Sequence, residues 1–97
     1  MAKGYIVVCY RSVKDPVKLS EYAKAAGPVM QAAGARFLVR GMAAKTYEAG
    51  LAQRTVVLEF DSVERAIEAY ESAPYQAAVK LLGDTVVRDI RVLEGAG

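Results

Sequence analysis

The 97-residue chain has no histidine, and its single cysteine is Cys9. Histidine relays, Ser-His-Asp triads and haem sites with a proximal histidine all need the missing imidazole. Ordinary zinc sites need histidines or several cysteines, and one cysteine cannot form a disulfide within the chain. The sequence therefore predicts no metal site and no cofactor. The apolar strand pattern around Cys9 predicts that this cysteine is a small buried core residue.

Net charge and long apolar runs are also scarce. Thirteen basic and eleven acidic residues are interspersed and give a net charge of +2, too near neutral for a groove that follows nucleic acid phosphates. No apolar run approaches the roughly 18 to 20 residues of a membrane span, and the N-terminal residues have a strand pattern without a cleavage site. We therefore expect no nucleic acid partner, no membrane partner and a cytoplasmic location.

The length predicts one small domain, residues 1–97, with a single core that is marginal if it stands alone. Hydrophobic residues make up 54% of the chain, a mild excess over the usual value of about 45 to 50%. This excess favours an apolar surface that is covered in an oligomer.

The periodicity of apolar residues predicts the element order β-α-β-β-α-β. Asp15 is the expected N-cap of the first helix and Pro16 its first residue, while Pro28 should kink or split this helix. Gly34 should end it in a left-handed cap position. The second helix should start at Asp61, which can form a capping box with Glu64, with Ser62 as the rival cap. Pro74 should open a further short helix. Strands are predicted over 3–11, from 36 to about 46 or 47, over 54–60 and over about 86–94.

This order is that of the ferredoxin-like α+β fold: a four-stranded antiparallel sheet in the order 4-1-3-2 with the helices on one face. Matching the more apolar side of each strand to the helices leaves a mixed apolar and charged set on the open face. Its predicted members are Arg36, Leu38, Arg40, Thr55, Val57, Glu59, Asp89, Arg91 and Leu93. A surface of this kind is expected to meet another surface, so we predict a two-fold homodimer through the open sheet face.

Two strand arginines, Arg36 and Arg40, are candidate ligand-binding residues. If Ala49-Gly50 is a two-residue hairpin loop, Arg40 lies directly opposite Glu59, although a slip of one residue would put them on opposite faces. Arg40 could then clamp an anionic substrate while Glu59 acts as a base, or the two could form an interface ion pair. Arg36 is expected at the solvated start of the strand, with a ligand role as the alternative.

Tyrosines on the helical stripes form the second candidate group. Tyr22, Tyr70 and Tyr75 could line a pocket between the helices and the sheet, with hydroxyl groups that donate hydrogen bonds or protons. Alternatively, they are core residues whose hydroxyl groups reach the rim. Tyr22 and Tyr75 are therefore candidate ligand-binding residues, and no catalytic residue is identified.

Four segments in order, KGY, GARFLVRG, RTVVLEF-DSVERAIEAYES-APYQAA and VLEG, resemble a family of small bacterial proteins. It is a family of unknown function in the dimeric α/β-barrel superfamily, and the resemblance covers nearly the whole chain. It implies a ferredoxin-like protomer whose open sheet face packs on its twin to close a barrel. Two departures are Gly34-Ala35, where the family usually has Gly-Gly, and Leu82, where it often has arginine. Members of the wider superfamily include cofactor-free monooxygenases, lactone isomerases, haem-degrading enzymes and stress-response proteins.

Two classes of function remain open. One is a small cofactor-free enzyme, of the isomerase or monooxygenase type, that acts on a small organic acid or aromatic metabolite. The other is a non-catalytic ligand-binding or structural dimer. A pocket in which Arg40, Glu59 or the tyrosines converge favours the first class, whereas a filled core with interface ion pairs alone favours the second.

Overall fold

The computed structural model describes residues 2–97 of the chain. Within these residues, four strands and three α-helices follow one another, and a short 3-10 turn precedes the last strand. In chain order they are β1 (Gly4–Val13), α1 (Pro16–Ala32), β2 (Arg36–Met42), β3 (Arg54–Phe60), α2 (Val63–Glu71), α3 (Ala73–Val79), the 3-10 turn (Lys80–Leu82) and β4 (Val86–Glu94).

The strands form one antiparallel sheet in the order β2-β3-β1-β4. This is the predicted order 4-1-3-2 read from the other edge, so the ferredoxin-like fold is confirmed. Alternate residues of β1 and β3 are buried against the helices, since their apolar side chains leave water together. The core comprises Ile6, Val8 and Tyr10 of β1, Val56, Leu58 and Phe60 of β3, and Tyr22, Ala26, Met30, Ala66, Ala69, Tyr75 and Ala78 of the helices, with Ala35 and Leu82 beside them.

The helix ends follow local sequence signals. The Asp15 carboxylate accepts hydrogen bonds from the backbone N–H groups of Val17 and Lys18, Pro16 is the first residue of α1, and Gly34 follows with a φ of 97°. These features confirm the predicted caps. No helix within residues 2–97 is long and apolar enough to cross a membrane.

Two expectations about the helices need refinement. Asp61 as the cap of α2 is wrong, because it binds Arg36 instead. The rival Ser62 caps the helix, and its Oγ accepts from the N–H of Arg65. The predicted split into two helices at Pro28 is wrong, because α1 continues through this residue to Ala32. Pro28 is exposed, so water can replace the backbone hydrogen bond that its ring removes.

A two-residue hairpin loop at Ala49-Gly50, the condition for the predicted register, is also wrong, although β2 and β3 do pair as antiparallel neighbours. β2 ends at Met42 rather than near residue 46, and a connection of residues 43–53 separates it from β3. A turn does lie near the expected place, since the N–H of Gly50 donates to the carbonyl of Tyr47 at 2.9 Å. The strand ladder does not reach this turn, because residues 43–46 lack the alternating apolar pattern that would hold a longer strand on the core.

A β-bulge in β2 changes the predicted register. The long connection already puts Arg40 opposite Val56, three residues from its predicted partner, and the shift between Phe37 and Val39 adds one residue more, so that Arg36 lies opposite Glu59. One inserted residue inverts the alternation of all residues beyond it. The predicted Arg40–Glu59 pair is therefore wrong: Arg36 remains on the open face, whereas Arg40 moves to the side of the helices.

The predicted burial of Cys9 is wrong as well. Cys9 is exposed, because it alternates with the buried residues Val8 and Tyr10 and so points to the open face. Its partners across the sheet are Thr55 and Asp89.

Candidate functional site

A pocket lies between α1 and the helix-covered face of the sheet. The space that the centre of a water molecule can reach is ≈ 50 Å³, enough for a few waters or one small polar group. Aliphatic side chains, among them Val8, Val56, Leu58 and Ile90, line its apolar part. Its polar side chains are Tyr10, Tyr22, Tyr70, Tyr75, Arg40, Arg54 and Arg88. We call this cavity the arginine pocket.

Tyr22, Tyr75 and Arg88 meet at one wall of the arginine pocket, and we call them the tyrosine–arginine cluster. The hydroxyl oxygens of Tyr22 and Tyr75 are 2.6 Å apart, and their rings pack edge to face with centroids 6.2 Å apart. Arg88 Nη1 donates to the Tyr22 oxygen at 3.2 Å and approaches the Tyr75 oxygen at 3.5 Å. Three elements, α1, α3 and β4, thus bring three polar groups together.

Local sequence positions Tyr75 at this wall. Pro74 lies in the first turn of α3, and the Ser72 side chain caps this helix by accepting from the backbone N–H of Tyr75 at 3.4 Å. Proline and a serine cap are both favoured at a helix start. The helix start therefore fixes the backbone from which the Tyr75 ring enters the core.

Arg88 has no carboxylate partner among the ion pairs of residues 2–97. Its guanidinium carbon instead lies 5.3 Å from the ring centroid of Tyr22 and 5.8 Å from that of Tyr10. Burial alone would lower the pKa of Arg88, but its contacts with Tyr75 and Tyr22 raise it. The cluster therefore holds a permanent cation whose charge no carboxylate balances.

Two tyrosines of this region, Tyr22 and Tyr10, have a raised pKa and stay protonated at physiological pH. Burial raises the pKa of Tyr22 above its usual range, and the neighbouring Tyr75 raises it further. Burial also raises the pKa of Tyr10, against the opposing effect of Arg88. The hydroxyl groups are consequently hydrogen-bond donors rather than bases at physiological pH.

Two more arginines border the same pocket. Across the sheet, Arg88 on β4 pairs with Tyr10 on β1. On the other side of β1, Thr55 pairs with Cys9, so Arg54, which precedes Thr55 on β3, also lies beside Tyr10. Because neighbouring strands lie about 4.8 Å apart, the Cα atoms of the two arginines are about 10 Å apart. Arg40, on β2, places its guanidinium 4.6 Å from the ring centroid of Phe37. None of the described residues that line the pocket is acidic, so the pocket favours an anion.

The structure brings together some of the predicted site residues and separates others. Arg40, Tyr22 and Tyr75 line the arginine pocket, whereas Arg36 and Glu59 pair with each other on the opposite face of the sheet. The predicted combination of Arg40 as clamp and Glu59 as base is therefore absent from this pocket.

Sequence reasoning missed Arg88 and Tyr10 as pocket residues. A signal for the first was present, because Arg88 shares the alternation of Ile90 and Val92, the helix-facing residues of β4. An arginine on the buried side of a strand needs partners that compensate its desolvation, which marks it as a candidate functional residue.

Glu59 forms a separate polar group on the open face. It accepts hydrogen bonds from Arg36 Nε at 2.7 Å and from the Tyr5 hydroxyl at 2.8 Å, while Arg36 also donates to Asp61 at 3.2 Å. The hydrogen bond from Arg36, and then that from Tyr5, lower the pKa of Glu59. A carboxylate held in this way is a poor general base. Arg36 is therefore an ion-paired residue with a half-exposed side chain rather than a freely solvated one.

The residues available for cofactor binding are those of the pocket. Within residues 2–97, no three cysteine or acidic side chains come together in a group that could hold a metal ion. The chemistry that the arginine pocket offers is donation of hydrogen bonds and stabilisation of negative charge.

Solved structures share the fold at low sequence identity. A protein of unknown function from Rhodopseudomonas palustris has a TM-score of 0.73 and 16% identity, with 99% of this chain and 84% of that chain covered. A dimeric ferredoxin-like protein of unknown function from Thermobifida fusca has a TM-score of 0.64 and 14% identity, with 96% and 91% covered. A protein from Caulobacter crescentus, provisionally described as an antibiotic biosynthesis monooxygenase, has a TM-score of 0.58 and 16% identity, with 99% and 91% covered.

No curated protein matches the chain. The profile of a family called DUF1330, a domain of unknown function, matches residues 3–96. The chain therefore belongs to the DUF1330 family, which confirms the predicted membership in a family of unknown function with a ferredoxin-like fold.

Proposed function

We propose that the protein binds a small organic acid with an aromatic or other planar apolar body in the arginine pocket. One observation carries this proposal: three arginines and four tyrosines line a single apolar cavity whose described lining contains no acidic residue. Guanidinium groups match the planar geometry of carboxylates. The tyrosine rings and the aliphatic floor suit an apolar ligand body.

The present cavity sets limits on how such a ligand enters. A space of ≈ 50 Å³ holds one polar group of the ligand, but ligand pockets in proteins are usually larger. Arg40 belongs to the exposed residues of β2, so its side chain can move away from Phe37 and widen the opening. We expect this movement to accompany binding.

The environment of Arg88 favours a protein with a ligand site over a purely structural protein. A partly buried cation without an anionic partner lowers stability, and an apolar residue of similar size would serve a structural core better. The structural neighbour described as a monooxygenase supports a catalytic role on this fold. Donors in the pocket would stabilise negative charge on a ligand oxygen, which is the electrostatic contribution that an isomerase or monooxygenase needs.

Binding of matched acids and amides tests the proposal. Calorimetry should show binding of benzoate or phenylacetate and little binding of benzamide or phenylacetamide, which lack the negative charge. Arg88→Gln and Arg40→Gln should weaken acid binding about tenfold or more, as expected for hydrogen bonds to a charged group. Arg65→Gln is the matched control, because Arg65 is exposed on α2. Equal binding of acids and amides, or an equal loss in the Arg65 variant, would contradict the proposal.

We further propose that the open sheet face forms the interface of a homodimer. Val39, Val57 and Val7 lie side by side across three strands and continue to Arg91 on the fourth. Leu38, Val39 and Leu93 are each about half exposed, a surface that a second copy would remove from water. The structural neighbour from Thermobifida fusca is a dimer, which supports this arrangement.

Sedimentation at micromolar concentration tests the interface. The protein should sediment as a dimer, and Val57→Asp should shift it to the monomer, because the substitution places a charge in the middle of the apolar row. Val17→Asp is the control, since Val17 is 68% exposed on α1. A monomeric unmodified protein, or a monomer only after the Val17 change, would exclude this interface.

A further inference from the structure

The hydrogen atoms of the tyrosine–arginine cluster indicate what kind of oxygen it accepts. We infer that the cluster binds a phenolate or enolate oxygen, so that a phenol or enol group of the ligand loses its proton on entering the pocket. This inference rests on the proposed organic-acid site and adds the ligand class: a hydroxylated aromatic acid or an enolic oxo acid.

Tyr22 and Tyr75 carry two hydroxyl hydrogens, and one of these hydrogens lies between the two oxygens, which are 2.6 Å apart. The hydrogen bonds of the described residues offer the other one no acceptor, since the only further partner of either oxygen is Arg88, which donates. A guanidinium group has no acceptor. One O–H donor therefore remains for a ligand oxygen.

A ligand oxygen beside the tyrosine–arginine cluster could be a neutral hydroxyl group or an oxyanion. One lone pair of the tyrosine pair also remains, so a neutral ligand hydroxyl could form a hydrogen bond there. An oxyanion instead accepts from the free tyrosine hydroxyl and is attracted by Arg88, and the guanidinium groups of Arg40 and Arg54 border the same cavity. Charge-assisted hydrogen bonds are roughly twice as strong as neutral ones. The pocket thus stabilises the ionised ligand over the neutral one.

Ionisation of the ligand releases its hydroxyl proton. The O–H bond of the ligand breaks heterolytically, the electron pair stays on the ligand oxygen, and the proton passes to water or buffer. No described residue of the pocket lining is a carboxylate, and the sequence has no histidine, so the pocket supplies no ordinary base to keep this proton. The ligand's own anion is then the reactive group, which suits a protein whose pocket contains donors alone.

A chromogenic phenol tests the inference. 4-Nitrophenol has distinct absorption spectra as phenol and as phenolate, and 4-nitrobenzoate is a carboxylate of similar size that tests only the organic-acid site. At a pH below the solution pKa of 4-nitrophenol, addition of the protein should increase the phenolate band. The apparent pKa of the bound phenol should fall by at least about one unit, a tenfold shift in its ionisation.

Two matched tyrosine variants locate the effect. The double variant Tyr22→Phe with Tyr75→Phe keeps both rings but removes both hydroxyl groups, and it should weaken phenolate binding about tenfold. Tyr5→Phe removes a hydroxyl group that binds Glu59 on the open face, and it should leave the phenolate band unchanged. Circular dichroism and thermal melting of each variant confirm that it is folded.

The outcomes separate the inference from the proposed function. If 4-nitrobenzoate binds through Arg88 while 4-nitrophenol does not bind or binds in its neutral form, the inference is wrong and the organic-acid site stands. If neither probe binds, the proposed function fails and the inference fails with it. A phenolate band that the double variant Tyr22→Phe with Tyr75→Phe leaves intact, or that Tyr5→Phe removes, would also overturn the inference.

Discussion

Replacement of Arg88 by methionine should raise the stability of the ligand-free protein while it abolishes ligand binding. Arg88 is a partly buried cation on β4 whose hydrogen-bond partners are tyrosine oxygens rather than carboxylates. Methionine has a flexible unbranched side chain that can fill the same space without a charge. The opposite signs of the two effects distinguish a functional arginine from a structural one.

The contacts of Arg88 set the expected magnitude. Arg88→Met loses the 3.2 Å hydrogen bond to Tyr22, which is worth about 1.5 to 3 kcal/mol, and two cation–π contacts worth about 0.5 to 1 kcal/mol each. It also removes the desolvation penalty of an unpaired charge, which is on the order of several kcal/mol. The hydroxyl groups of Tyr22 and Tyr75 still bond to each other. These opposing terms are of similar size, and replacement of buried ionic groups by apolar residues of similar volume is often neutral or stabilising by about 1 to 4 kcal/mol. Because Arg88 is only partly buried, we expect the low end of this range, a gain of about 1 kcal/mol in the free energy of unfolding, or about 4 to 8 °C in Tm for a domain of this size.

Thermal and denaturant unfolding of both proteins, at equal protein concentration because a dimer's Tm depends on it, measure this difference. Arg91→Met is the control on the same strand: Arg91 is exposed and pairs with Asp89, and such an exposed pair contributes little to stability. A loss of more than about 2 kcal/mol in the Arg88 variant, as for the breaking of a stabilising buried pair, would refute the view that function rather than stability explains Arg88.

Two further predictions concern the fold and the open face. Gly4→Ala should destabilise the protein by about 1 to 3 kcal/mol, because an added Cβ would lie 2.3 Å from the backbone carbonyl oxygen of Ser62; Gly27→Ala, whose Cβ would meet nothing within 4 Å, should be neutral or stabilising in the same denaturant titration. The pKa of Glu59 is lowered by its hydrogen bonds, so its contribution to stability is complete above about pH 4.3 and is lost as the pH falls through the lower folded value. Glu59→Gln should flatten this acid limb of the curve of Tm against pH, whereas the exposed Glu68→Gln should leave it unchanged, and an equal effect of both would contradict the assignment.

The fold was predictable because its signals are local or periodic. Asp15 and Pro16 define a helix start by themselves, and the alternation in β3 determines which side of the strand meets the helices. These signals give the element order, and the handedness and connection rules then restrict the sheet to few topologies. The strand order therefore follows from residues that act one segment at a time.

The candidate site was less predictable because it depends on register between segments. A single extra residue at Leu38 places Arg40 on the helix side and leaves Arg36 opposite Glu59, and no local pattern in β2 marks that bulge. Arg88 was missed for a different reason. Its position in the alternation of β4 was readable, but its importance appears only when α1 and α3 bring Tyr22 and Tyr75 to it.

The two faces of the sheet treat charge in opposite ways, and this contrast bears on function. On the open face, Arg36 binds Glu59 and Arg91 binds Asp89, so this face can meet a second copy without leaving an unpaired ion. On the helix side, the described lining of the pocket has arginines and no acidic residue. A folded chain of net charge +2 has carboxylates enough to balance these cations, and their absence from the pocket lining costs stability. An anionic ligand is the partner that would recover that cost, so the pocket, rather than the open face, is where the chemistry of this protein is expected.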